Sequence, residues 1–142
     1  FTVNVYESIP ESTYTVENVT GAKYGFKLID SGYYRSTNAG VNSSFSLCKV
    51  SINAPIDDIM YVDCINYAES HADYGILSNL DTTLTASYVA DSTNVKQSFK
   101  TKHSQDIQTV IYSIPAGEHY IYIKYRKELE KNGKRNKNRK KV

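Results

Sequence analysis

The sequence predicts an all-β fold, namely an antiparallel β-sandwich of about eight strands with little helix. The first observation behind this prediction is composition: 13 of the 142 residues are Tyr, Trp is absent, Met occurs once, and Thr, Ser, Val, Ile and Asn fill much of the rest. Such residues favour strands and turns over helices. The second is that short apolar segments alternate with polar residues at every second position, between turn signals. The length suits one domain with its own hydrophobic core.

The predicted strands follow one another along the whole body of the chain. They cover residues 2–6, 14–19, 24–29, 45–52, 59–67, 95–100, 107–114 and 118–125. Strands of this length and spacing are typical of a sandwich or a jelly roll. The best helical candidate is residues 78–87, where Ser78 and Asp81 resemble a capping box, but its Thr-rich interior limits it to a turn or two.

Residues 46–67 predict an antiparallel hairpin, because two alternating strands flank the polar loop 53–58. A symmetric loop gives three opposing pairs on one face: Ile52 with Met60, Val50 with Val62, and Cys48 with Cys64. Two alternatives stay open for the cysteines. They are small buried hydrophobic residues, or they form a cross-strand disulfide that carries some strain, since opposed Cβ atoms lie roughly 4.5–5.5 Å apart.

A second hairpin is predicted for residues 107–125, with its turn at residues 115–117, where Gly117 allows a tight turn. In the returning strand, His119, Ile121, Ile123 and Tyr125 share one face, and Tyr120, Tyr122, Lys124 and Arg126 share the other. An outward ladder of Tyr, Tyr, Lys and Arg is a candidate surface for a sugar ring or a protein partner. The alternative is that these side chains only cover the sheet.

Residues 69–74 hold the closest cluster of chemically active side chains. Glu69, His71 and Asp73 are two positions apart, so an extended backbone would place them on one face, where they could bind a metal or transfer protons. A solvated strand end has the same pattern, and no second cluster accompanies this one. We therefore predict no metal or catalytic residue, and we retain Glu69, Asp73 and Tyr74 as candidate ligand-binding residues.

Common enzyme signatures are absent from the sequence, including the nucleophile elbow, the P-loop, G-x-G-x-x-G, H-E-x-x-H and CxxC. Cys48 and Cys64 also lack the spacing of a zinc site. His103 has no obvious partner in the polar residues around it. We expect a protein that is not an enzyme and has no cofactor.

Charge divides the chain into a domain at residues 1–125 and a basic tail at residues 126–142. The domain has 8 Lys and Arg against 13 Asp and Glu, whereas the tail has 9 against 2. An acidic body argues against a nucleic-acid site outside the tail. The end of the tail, residues 136–142, could add an edge strand. No apolar run approaches the roughly 20 residues of a membrane-spanning helix.

Several motifs occur in a suggestive order around the strand that carries Cys48. They are residues 32–34 (GYY), 36–43 (STNAGVNS), 67–70 (YAES), 73–74 (DY) and 114–127 (IPAGEHYIYIKYRK). Over residues 24–128 this order resembles the jelly-roll modules of bacterial surface proteins, of the cleaved-adhesin and concanavalin-like or carbohydrate-binding type. The resemblance implies a repeatable module of a long secreted or cell-surface protein, or of a phage fibre or other virion component.

The leading expectation for function is a non-catalytic interaction or structural module of a larger extracellular, cell-surface or virion protein, active in adhesion, assembly or host-surface recognition. Its partners would be other protein subunits or a surface glycan. The alternatives are a glycan-binding module that uses exposed Tyr side chains and, third, an unrecognised enzyme. The sequence begins at Phe1 without a signal-peptide pattern, so we expect it to be part of something longer.

Overall fold

A computed structural model describes residues 1–8, 11–66, 73–88, 91, 93–100 and 106–128, except for the side chains of residues 31 and 100. Within them lie ten strands and one short 3-10 helix, Asp30–Gly32. The strands are β1 (Thr2–Glu7), β2 (Thr13–Asn18), β3 (Phe26–Leu28), β4 (Tyr34–Ser36), β5 (Ser44–Ala54), β6 (Asp58–Ile65), β7 (Tyr74–Ser78), β8 (Val95–Lys100), β9 (Gln108–Ile114) and β10 (Gly117–Lys127). The predicted all-β fold with little helix is confirmed, with ten strands rather than eight.

The strands form two five-stranded sheets, which we call sheet A and sheet B. Sheet A has the order β3-β4-β1-β6-β9, and sheet B has the order β2-β5-β10-β7-β8. Neighbouring strands in both sheets are antiparallel. Among these strands, only β3–β4 and β7–β8 are consecutive in the chain and share a sheet. Elsewhere the chain passes from one sheet to the other between successive strands.

The hydrophobic core contains side chains from both sheets. Sheet A contributes Val3, Val5, Met60, Val62, Cys64, Val110, Tyr112 and Ile114, and sheet B contributes Cys48, Val50, Ile52, Leu77, Ile121 and Ile123. These positions alternate with more exposed ones along β6 and β9. The inward faces predicted for the strands of residues 46–67 are therefore confirmed. Each fully buried Val, Leu or Ile side chain contributes roughly 1.5–3 kcal/mol relative to exposure.

The two predicted hairpins are wrong. β5 and β6 lie in different sheets, and so do β9 and β10. Residues 55–57 and 115–116 thus connect opposite sheets instead of adjacent strands. Alternation identifies which face of a strand meets the core. Two strands that face each other across the core bury the same residues as two strands paired in one sheet, so alternation does not distinguish these arrangements.

The cysteines lie on different sheets as a consequence. Cys48 is aligned with Ile123 of β10, whereas Cys64 is aligned with Val3 of β1. Both are buried and both are free thiols, so the disulfide alternative is not observed. Burial raises the pKa of both thiols.

Two strands, β4 and β7, were not predicted. β4 has only three residues, and four consecutive residues of β7, from Gly75 to Ser78, are buried and show no alternation. The helical candidate at residues 78–87 does not form a helix. Ser78 is the last residue of β7, and residues 79–88 contain no helix. Both residues of the predicted capping box bond to β10 instead. The Ser78 hydroxyl oxygen accepts the Tyr122 N–H at 2.8 Å, and the Asp81 N–H donates to the Tyr120 carbonyl at 2.8 Å.

β10 continues to Lys127, two residues into the predicted basic tail. Arg126 and Lys127 are both buried. Residues 129–142, with the predicted edge strand at 136–142, lie outside the described residues. In the part of the chain that the structure describes, no helix is long and apolar enough to cross a membrane.

Candidate functional site

The outer face of sheet B presents polar side chains in rows across β2, β5 and β10. The strand register aligns Thr13 with Asn53 and Glu118, Thr15 with Ser51 and Tyr120, and Glu17 with Lys49 and Tyr122. These side chains point away from the core, because the intervening residues Val50, Ile52 and Ile121 belong to it. Period-two alternation on three adjacent strands therefore builds one polar surface.

This surface forms a groove with a volume of about 460 Å³, which we call the polar groove. It is lined by Thr13, Thr15, Lys49, Ser51, Ile52, Asn53, Glu118, His119 and Tyr120. Within the described residues, the side chains of Thr13, Thr15, Ser51, Asn53 and Glu118 make no hydrogen bond or ion pair. Their hydrogen-bonding capacity is available to a ligand on three paired strands.

Lys49 covers part of the aromatic surface at the groove. Its ammonium lies 4.7 Å from the centre of the Tyr120 ring and 6.0 Å from that of Tyr122. The two rings meet edge to face, with centres 5.7 Å apart. Because the ammonium covers a face of Tyr120, a sugar ring can stack there only if Lys49 moves. The groove is therefore better suited to hydrogen bonding than to aromatic stacking.

Asp81 fixes one edge of the groove from the β7–β8 connection. Its carboxylate lies 2.7 Å from His119 Nδ1 and accepts the Tyr120 N–H at 3.0 Å, while its carbonyl accepts the Tyr120 hydroxyl at 3.0 Å. The hydrogen bond to Asp81 raises the pKa of His119 above its ordinary 6.5. Asp81 has a φ of 60°, a left-handed conformation that Asp adopts more readily than most residues.

The β7–β8 connection also covers the other half of the sheet face. Leu84 packs in a small cluster with Leu47 and Ile76 on the outer side of sheet B. Lys124 has an exposure of 0%, and its ammonium lies 3.0 Å from Asp91. The prediction that Lys124 shares a face with Tyr120 and Tyr122 is confirmed by the register, but its expected exposure is wrong. A ligand in the groove does not reach it.

Asp73 and Tyr74 lie at the start of β7 and do not line the polar groove. Asp73 has an exposure of 1%; it accepts the Glu128 N–H at 2.9 Å and lies 3.4 Å from the Lys127 ammonium. The Tyr74 hydroxyl accepts a hydrogen bond from the Arg126 guanidinium. Both predicted binding residues thus have partners within the protein. Glu69 and His71 lie outside the described residues.

A second cavity, of about 300 Å³, is lined in part by Phe1, Arg35, Asp73, Tyr125 and Lys127. Two of its three charged side chains, Asp73 and Lys127, pair with each other, and Phe1 stacks on Tyr125 with ring centres 5.8 Å apart. A ligand there would compete with contacts that the protein already makes. We therefore assign the candidate site to the polar groove.

Sequence reasoning found Tyr120, which lines the groove, and Tyr122, which lies next to it, but missed the other lining residues. The polar faces of β2 and β5 are visible in the alternation of residues 13–17 and 49–53. The sequence did not show that these faces lie next to β10, because the predicted hairpin paired β5 with the wrong strand. Among the described residues, no group of three or more His, Cys, Asp or Glu side chains is placed to hold a metal ion.

Comparisons of the chain with protein-family models, with curated proteins and with solved structures found no match.

Proposed function

We propose that the protein is a non-catalytic interaction module of the jelly-roll type, part of a larger extracellular, cell-surface or virion protein, and that it binds its partner in the polar groove. The observation that carries this proposal is the set of unpaired polar side chains on β2, β5 and β10. A ligand can replace the water on these groups without breaking a hydrogen bond within the protein.

The jelly-roll assignment is supported by the path of the chain. Two five-stranded antiparallel sheets face each other, and most successive strands change sheet. Jelly rolls also distribute successive strands between two packed sheets. A fold of this type hosts many functions, so the groove rather than the fold supports the binding role.

A glycan is the ligand class that the groove favours. The hydroxyls of Thr13, Thr15 and Ser51 both donate and accept hydrogen bonds, as does the amide of Asn53. The same dual capacity is found in the hydroxyl groups of a sugar. The volume of about 460 Å³ lies within the range of small-ligand sites, roughly 300–1,000 Å³. Lys49 and Glu118 add one charge of each sign.

The lining of the groove supports binding without catalysis. Glycoside hydrolysis ordinarily needs two carboxyl groups on opposite sides of the bond that breaks. Among the described residues that line the groove, Glu118 is the only one with a carboxyl group, and the Asp81 carboxylate at its edge is already bonded to His119 and to the Tyr120 N–H. His119, the other titratable candidate, is held by Asp81.

An oligosaccharide panel tests the proposal directly. The chain is screened on a glycan array, and hits are measured by titration calorimetry with wild type and with S51A/N53A. We expect the double variant to bind roughly 5- to 150-fold more weakly, because two hydrogen bonds are lost and each contributes roughly 0.5–1.5 kcal/mol. A matched control, N42A/S98A, removes exposed polar groups outside the groove and should bind like wild type. Absence of any glycan hit, or equal affinity of S51A/N53A, contradicts the glycan assignment.

A further inference from the structure

Sheet A ends at β9, which pairs with β6 on one side. No described strand pairs with the other edge of β9. An edge strand presents unpaired N–H and C=O groups that can pair with another chain, and natural sheets usually protect such edges with charge, proline, a bulge or short length.

The edges of the two sheets differ in this protection. β3 has three residues, β2 carries Glu17, and β8 carries Lys96. β9 has seven residues, QTVIYSI, without a charged residue or proline. Its register with β6 is continuous from Gln108 to Ile114, so it contains no bulge. β9 is therefore the least protected edge among the described strands.

A row of exposed apolar side chains crosses the outer face of sheet A and ends at β9. Ile111 on β9 is 54% exposed, and the register aligns it with Tyr61 of β6 and Tyr6 of β1. The rings of Tyr6 and Tyr61 stack with centres 5.1 Å apart. Ile59 and Ile107 are exposed as well. An apolar row that continues to an open edge is typical of an interface.

We propose that β9 pairs antiparallel with β9 of a second copy of this chain, around a two-fold axis at Ile111. The two A sheets then join into one continuous sheet, and the row of Tyr6, Tyr61 and Ile111 continues into its symmetry mate. This inference goes beyond the proposed function, because β9 belongs to sheet A and the polar groove lies on sheet B.

The sequence of β9 is what selects a second copy as the partner. Two-fold pairing places each residue opposite one on the mate: Ile111 opposite Ile111, Val110 opposite Tyr112, Thr109 opposite Ser113, and Gln108 opposite Ile114. Directly opposed like charges destabilise a strand pair. A charged edge strand would repel its own copy in this arrangement. β9 itself contains no charged residue, and the Lys96 ammonium that lies 4.9 Å from the centre of the Tyr112 ring belongs to β8 of sheet B. Apolar and β-branched pairs at its centre favour the pairing instead.

The pairing has a consequence for binding. A symmetric dimer carries two polar grooves, and neither groove contains a β9 residue. Two weak sites on one assembly bind a multivalent surface more tightly than either site alone.

Sedimentation velocity over a concentration series tests the proposal with the complete 142-residue chain. We expect wild type to form a dimer of 16.0 kDa protomers. I111K places two ammonium groups next to each other at the two-fold axis, so it should dimerise at least tenfold more weakly. L28K is the matched control, because Leu28 is equally exposed, at 55%, on the opposite edge strand of the same sheet. It should dimerise like wild type.

Amide hydrogen exchange supplies a second measurement that does not depend on a substitution. Amides of β9 that point away from β6 should gain protection as the dimer forms. Wild type that stays monomeric up to about 1 mM overturns the proposal. A dimer without protection of β9, or one that I111K leaves unchanged, overturns it too. So does protection of the β9 edge in a monomer, which would show that another part of the chain covers it. None of these results changes the affinity expected of a single groove for a monovalent glycan in solution.

Discussion

The Lys124 ammonium lies 3.0 Å from the Asp91 carboxylate, with side-chain exposures of 0% and 7%. The contact ties β10 to the β7–β8 connection that covers it. Burial raises the pKa of Asp91, but hydrogen bonds from Thr85 and Lys124 outweigh burial, so the net pKa is lowered. Burial lowers the pKa of Lys124 and Asp91 opposes that effect. The carboxylate is thus ionised at neutral pH and compensates a cation that water does not solvate.

Removal of one partner should destabilise the protein strongly. D91A leaves the Lys124 ammonium buried without its carboxylate, and such changes cost about 3–5 kcal/mol. Urea unfolding followed by circular dichroism measures the free energy of unfolding. We expect the midpoint to fall markedly with no change in the slope.

The control for this prediction is D91A/K124M, which replaces the pair with apolar side chains. Replacement of a buried ion pair by apolar residues is often nearly neutral, so the double variant should recover most of the lost stability. E118A removes an exposed carboxylate that makes no hydrogen bond or ion pair among the described residues, and it should change the stability by less than about 0.5 kcal/mol. A double variant no more stable than D91A would show that the ammonium is not the cause.

The sequence predicted strands well where one face of a strand meets the core and the other meets water. β6 is an example, since Met60, Val62 and Cys64 are buried while their neighbours are less so. β7 has no such contrast, because the core lies under it and the β7–β8 connection over it. Ile76 of β7 is buried in one cluster with Leu84 of that connection and with Leu47 of β5, which is about 30 positions earlier in the chain. No local pattern contains that information.

The same limit applies to the candidate site. Alternation placed Tyr120, Tyr122 and Lys124 on one face, but exposure of Lys124 depends on Asp91, 33 positions away. The neighbours of Tyr120 in the groove depend on the pairing of β10 with β5. Strand pairing between distant segments is a non-local choice, and alternation fixes only the face that each strand buries.

The cysteines should be inert in the folded protein. Burial raises the pKa of Cys48 and Cys64, so neither forms the reactive thiolate near neutral pH. A thiol reagent should label neither residue under native conditions and both in denaturant, as measured by mass spectrometry. Reductant should not change the melting temperature. A reductant-dependent fall in melting temperature would instead indicate a disulfide and contradict the free thiols of the structure.

The contact between His119 and Asp81 should make stability depend on pH. The hydrogen bond to Asp81 raises the folded-state pKa of His119 above 6.5, the value expected for an unfolded chain. The protonated imidazole therefore stabilises the fold fully below about pH 6.5, and this contribution is lost as pH rises through the folded-state pKa. We expect the difference in melting temperature between wild type and D81N to be largest at acidic pH and to shrink towards alkaline pH.

D81N is a suitable comparison because Asn tolerates the left-handed φ of residue 81 and retains an acceptor for the Tyr120 N–H. His71 and His103 are present in both proteins, so their titration largely cancels in the difference. Melting temperatures between about pH 5 and pH 9 measure how the stability changes with pH, and an NMR titration of the His119 ring measures its pKa in the folded protein. A wild-type advantage that stays constant or grows with pH would mean that the His119 charge does not stabilise this contact. The orientation of the β7–β8 connection at the groove edge would then depend on the backbone contacts of Asp81 instead.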